Sequence, residues 1–104
     1  MKLSEIKRII TFKPFIYKIN SFTNDYFGIT FKFENQYGAS IINVKDGLEL
    51  TVINFNLKND RNVEMEYSID LETPIKVKTK VTTKNELIRL LKQIKSFEPK
   101  QLVI

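Results

Sequence analysis

Glu64 and Glu66 stand two residues apart, so an extended chain puts both carboxylates on one face, and Glu49 is a third acid at hand. Paired carboxylates of this kind can move protons or hold a divalent cation, provided a second group converges on them. The composition withholds the usual second group, because the chain contains neither His nor Cys. Without an imidazole there is no side chain that titrates near neutrality unperturbed, and the Ser-His-Asp and Cys-His arrangements are excluded. Without a thiol there are no disulfides, thiolate nucleophiles or cysteine zinc sites. Gly28, Gly38 and Gly47 are isolated from one another, so no phosphate-cradling loop is present. Glu64 and Glu66 therefore read as a solvated strand face, and the chain is expected to be non-enzymatic, with no cofactor and no metal.

A second chemistry lies in basic residues interleaved with aromatics. Single-stranded nucleic acid is held by cations along its backbone and by ring faces under its bases. Lys13 and Lys18 flank Phe15 and Tyr17, Lys76, Lys78 and Lys80 follow as a run, and Arg89, Lys92 and Lys95 recur at helical spacing. Against this, most Phe residues fall on the buried parity of their strands, the lysines have acidic neighbours, and arginine is restricted to Arg8, Arg61 and Arg89. The formal net charge is +5, unevenly spread. Residues 1–18 carry five Lys/Arg against Glu5, residues 19–75 nine Asp/Glu against four Lys/Arg, and residues 76–104 eight Lys/Arg against Glu86 and Glu98. Basic ends around an acidic middle suit either a patch that attracts a polyanion or charge matching within the fold.

The elements that must position these residues follow from periodicity. At 104 residues, with 42% apolar residues, eight Phe and four Tyr, the chain is long enough for one core and one domain. Ile6, Ile9 and Ile10 predict a short N-terminal helix capped by Ser4, ended by Pro14. Phe12 to Tyr17 is then extended and Asn20 to Asn24 a polar turn. Phe27, Ile29, Phe31 and Phe33 alternate with polar residues as a half-buried strand, and Asn35 and Gly38 supply the reversal into a partner strand from Ala39 to Lys45. Asp46-Gly47 predicts a tight turn with positive φ at both central residues. Leu48 to Leu57 is a third strand whose apolar parity shifts at Val52-Ile53, as a bulge would produce.

Val63 to Leu71 alternates strictly, and after Thr73-Pro74 a shorter strand contains Ile75, Val77 and Val81. Paired through a tight loop, these two set Glu72 opposite Lys76 and Asp70 opposite Lys78. Thr83-Lys84-Asn85-Glu86 has the form of a capping box ahead of the stripe Leu87, Ile88, Leu90, Leu91 and Ile94, which predicts a C-terminal helix ended by Pro99. The expected architecture is α+β: an antiparallel meander of four to five strands, the C-terminal helix packed on one face, and a short N-terminal helix. The core spans residues 12–97, with 98–104 a tail.

Lys13-Pro14-Phe15, Ser21-Phe22, Tyr37-Gly38-Ala39-Ser40-Ile41, Gly47-Leu48-Glu49-Leu50-Thr51-Val52, Thr73-Pro74-Ile75 and the capped helix together resemble a group of small, largely uncharacterised proteins of phages and related mobile elements in low-GC Gram-positive bacteria. The resemblance covers residues 12–97 and departs from the family in a shorter segment between the second and third strands. It implies an accessory product that binds a host or defence protein stoichiometrically. The partner surface would be a sheet face or edge with Glu64, Glu66, Lys76 and Lys78, or the central loop at Tyr37. Nucleic-acid binding through Lys13, Lys18, Lys80, Arg89, Lys92 and Lys95 is the alternative. The N-terminus has charges through its apolar part, unlike a secretory leader, and no run reaches the roughly 20 apolar residues of a membrane span. A cytoplasmic protein of the host bacterial cell is expected.

Overall fold

The computed structural model describes residues 1–56 and 67–99. Its order is α1 (Leu3–Lys7), a 3-10 turn (Lys13–Phe15), β1 (Ile16–Thr23), β2 (Tyr26–Lys32), β3 (Tyr37–Val44), β4 (Gly47–Asn54), β5 (Ser68–Ile69), β6 (Val77–Val81) and α2 (Lys84–Lys95). The architecture is α+β, with one six-stranded antiparallel sheet in the order β1-β2-β3-β4-β5 and β6 also paired to β4.

Alternation in the strands becomes the two sides of this sheet. Phe31 pairs with Ala39 and Ala39 with Val52, while Ile29 pairs with Ile41 and Ile41 with Leu50, so the apolar parity of three strands forms one continuous wall. Leu87, Leu90, Leu91 and Ile94 of α2 and Leu3, Ile6, Ile9 and Phe12 from the N-terminal segment close over that wall in a single cluster. Full burial of such side chains contributes about 1.5–3 kcal/mol apiece. Phe12 meets Phe31 and Phe33 edge-on, at centroid distances of 6.5 and 6.1 Å.

Several local expectations change. The N-cap of α1 is Lys2, whose N–H donates to Glu5 Oε1 at 3.2 Å. Ser4 lies inside the helix and is tied to Asn24, whose Oδ1 accepts from the Ser4 N–H at 2.9 Å. Pro14 sits in the first turn of the 3-10 segment, where its missing N–H costs nothing, so Lys13–Phe15 is helical rather than extended. Residues 20–23 continue β1, and the reversal falls at Asn24 and Asp25. At the next hairpin Val44 pairs with Gly47 around Lys45-Asp46, and only Gly47 takes positive φ, at 148°.

No bulge occurs at Val52-Ile53. The β3–β4 register runs unbroken from Tyr37↔Asn54 to Val44↔Gly47, and Val52, Ile53, Asn54 and Phe55 are all buried because both sides of the sheet are covered there. The strand after Pro74 pairs with β4, Leu50 opposite Lys78 and Thr51 opposite Val77, so the ladder of Glu72 with Lys76 and Asp70 with Lys78 does not form. Asp70 is instead buried, accepting from Asn54 Nδ2 at 3.3 Å and from the Glu72 N–H at 3.0 Å. Of the predicted Val63–Leu71 strand, residues 67–71 are described and of these only Ser68–Ile69 forms a strand, β5; residues 63–66, like 100–104 of the predicted tail, lie outside the described residues.

Candidate binding surface

The second face of the sheet takes the opposite parity of each strand. Its central rung is Lys18, Thr30, Ser40, Thr51 and Val77; the neighbouring rung is Asn20, Gly28, Ile42 and Glu49. Beside that second rung Phe22 is 82% exposed, Tyr26 62% and Ile42 44%. The Phe22 and Tyr26 rings lie 5.5 Å apart, tilted by 33°. Asn20, Phe22, Tyr26, Gly28 and Ile42 line a groove of about 240 Å³, joined at its end by Phe27 and Asn43. Asn43 also fixes that end, accepting from the Phe27 N–H at 2.6 Å. Gly28 forms part of the floor: a methyl group there would meet Ile42 Cγ2 at 3.6 Å, ordinary contact, so the groove can be filled without moving the backbone.

A second aromatic group on this face is already satisfied internally. Tyr17 meets the Phe55 ring at 5.1 Å, Phe55 meets Tyr67 at 5.1 Å, and Lys32 Nζ stands over Phe55 at 4.8 Å and over Tyr17 at 5.8 Å. A lysine over ring faces is held there by the ring quadrupole. Tyr17 occupies the β1 bulge between Ile16 and Lys18, which turns its ring out of the regular alternation.

The residues singled out by sequence are dispersed. Tyr37 is buried, 4% exposed, its ring edge-on to Phe97 at 5.3 Å, so the central loop does not offer it to a partner. Glu64 and Glu66 lie outside the described residues. Lys76, Lys78 and Lys80 are exposed along the β6 edge, with Lys76 and Lys80 in the left-handed region at φ 58° and 56°. Lys18 is on the far edge, across a rung of five strands, about 19 Å at the usual strand spacing. Lys13, Arg89, Lys92 and Lys95 are exposed in the helical layer, where Lys92 and Lys95 line a shallow groove with Thr11, Phe12 and Ser96, and Lys95 Nζ covers the Phe15 ring at 4.8 Å. The basic candidates thus fall into three separate sets.

Phe22, Tyr26 and Ile42 were not among the site residues expected from sequence. Phe22 sits in a run of polar residues that reads as a turn, and Ile42 follows Ile41 without a break in hydropathy. Their signal was parity: Ile42 opposes the buried parity of Ile41, which only the register with Gly28 makes visible. Among the described residues no three His, Cys, Asp or Glu side chains come together to hold a metal ion, and no helix is long and apolar enough to cross a membrane. No protein-family model matches the chain, and neither a curated protein nor a solved structure matches it.

Proposed function

We propose that this chain is a non-enzymatic binding protein that holds a host or defence protein stoichiometrically, in the phage or mobile-element setting implied by its sequence resemblance, and that it works in the bacterial cytoplasm. The observation that carries the reading is the Phe22–Tyr26–Ile42 patch beside its groove. Large rings left in water next to a concavity are the usual anchors of a protein interface, where a few aromatic residues supply most of the affinity. The patch lies on the sheet face opposite the helices, so it can be covered without disturbing the core. The test is co-purification from host lysate with the wild-type chain and with a Phe22→Ser/Tyr26→Ser variant. A partner recovered at equal stoichiometry by the wild type and lost with the variant supports the reading; no partner, or equal recovery by both, ends it.

A second reading, nucleic-acid binding, draws on the groove shared by Lys92 and Lys95. It requires an affinity for labelled single- or double-stranded oligonucleotides that falls linearly with the logarithm of salt concentration, and that Lys92→Glu/Lys95→Glu reduces. No binding at low salt removes it.

A further inference from the structure

We propose that β1 is a docking edge, to which an extended acidic segment of the partner protein adds as a further strand, seating one apolar side chain in the groove between Phe22, Tyr26 and Ile42. This rests on the protein-binding reading above and adds to it the mode of recognition and the chemistry of the ligand.

Three observations converge. First, β1 ends the strand order, and among the described residues no other strand pairs with it on its outer side. In an antiparallel edge every second residue aims its N–H and C=O away from its neighbour, which is a template for a further strand. The opposite edge is blunted in two ways: β4 is shared there by the short β5 and by β6, and Lys76, Lys78 and Lys80 stand along it. β1 has eight residues and the single charge of Lys18. Its regular run, Lys18 to Ser21, lies between irregularities at Tyr17 and Phe22, long enough for a short added strand.

Second, the groove is continuous with that edge. Asn20 and Phe22 are β1 residues that form its outer wall, and Gly28 and Ile42 lie just behind them. A strand laid along β1 puts alternate side chains on the groove side, so backbone pairing and side-chain docking are reached in one register.

Third, charge selects the ligand. Lys18 stands on β1 and Lys7, Arg8 and Lys13 lie in the segment that leads into it, against Asp25 at the β1–β2 reversal and Glu49 on the rung beside the groove, four cations to two carboxylates. An acidic segment is attracted to such an edge, whereas two copies meeting β1 to β1 bring like charges together.

The experiment pans a display library of random twelve-residue peptides against the intact protein and follows amide hydrogen exchange by NMR with the best peptide bound. The expected peptides combine acidic residues with alternating apolar ones, and the freely exchanging amides of β1 become protected. Gly28→Leu, which fills the groove, and Phe22→Ser, at an exposed site, each weaken binding about tenfold or more, as loss of an interface anchor does. The proposal is overturned by any of four results: no enrichment, peptides without acidic residues, protection confined to β6 or α2, or protection of β1 by self-association or by an oligonucleotide. Failure here while the Phe22→Ser/Tyr26→Ser variant still loses its partner removes strand addition alone; loss of no partner removes the binding face itself.

Discussion

Asn35 does more than its place in a turn requires. Its Nδ2 donates to the carbonyl oxygens of Ile94, Lys95 and Phe97 at 3.0, 3.2 and 2.8 Å, and its Oδ1 accepts from the Tyr37 N–H at 3.0 Å. One carboxamide therefore closes the β2–β3 connection and satisfies carbonyls left open at the end of α2. Asn35→Ala is expected to lower unfolding free energy by about 1–3 kcal/mol, because the part-buried carbonyls of Ile94 and Phe97 lose their donor. Asn35→Asp should cost more, since it also sets a negative charge against the negative end of the helix. Denaturant titration of both variants checks the order. Gly38 is equally constrained: any Cβ there would overlap the Phe31 carbonyl oxygen and approach the Phe55 ring at 3.1 Å. The sequence made both residues turn formers, which holds for Asn35 alone: Gly38 lies within β3, paired with Lys32 and Ile53, and the positive φ of the reversal falls on Gln36 at 70°. The remote partners of both were illegible. Ile94 is 59 positions from Asn35, and no local pattern connects them.

Among the elements, α2 was the most readable because its determinants are local. Thr83 caps it, accepting from the Glu86 N–H at 3.2 Å, and the apolar stripe falls on the side the sheet covers. Thr83→Ala should cost about 1 kcal/mol, and Leu91→Ala, fully buried, about 2–5 kcal/mol; thermal unfolding separates the two. The existence of β2, β3, β4 and β6 was legible for the same reason, whereas β1, half of which reads as a polar turn, and the choice of neighbour for β6 were not. Alternating Lys and Val residues fit any edge, and what decides the pairing is distant. The Asp70 N–H donates to Val52 O at 3.0 Å, Thr73 Oγ1 accepts from the Lys76 N–H at 3.2 Å, and the chain arrives beside β4 with the Val52 N–H donating to Lys76 O at 2.8 Å. The two pairings make opposite predictions. Lys78→Glu should change stability by no more than about 0.5 kcal/mol, as an exposed edge residue opposite Leu50. A ladder with Asp70 would instead impose a like-charge penalty. Equilibrium denaturation decides between them.

At the scale of the whole molecule, the two sides of the sheet carry different tasks, and substitutions should separate them. One side is closed by α1 and α2 and holds nearly all of the apolar cluster; the other keeps the Phe22–Tyr26–Ile42 patch in water. This division was only half visible beforehand: alternation announced a buried parity but not what the exposed parity presents, because a ring among polar residues reads as a turn until register places it. Phe22→Ser and Tyr26→Ser remove side chains that contribute little to the core, so each should leave unfolding free energy within about 0.5 kcal/mol of wild type while abolishing recovery of a protein partner. Leu91→Ala should weaken the fold yet leave the affinity of the remaining folded molecules intact, since Phe22, Tyr26 and Ile42 stand on the other face of the sheet and only Phe27, at the end of the groove, belongs to the core cluster. Charge reversal at Lys92 and Lys95 should lower stability, because it removes the Lys95–Phe15 contact and sets negative charge at the negative end of α2, but should spare partner recovery if the partner is a protein held on the sheet, and should abolish binding if it is a nucleic acid held on the helices. Measuring stability and partner recovery on this one set of variants assigns the work to a face, because the basic groove and the aromatic groove lie in different layers of the fold.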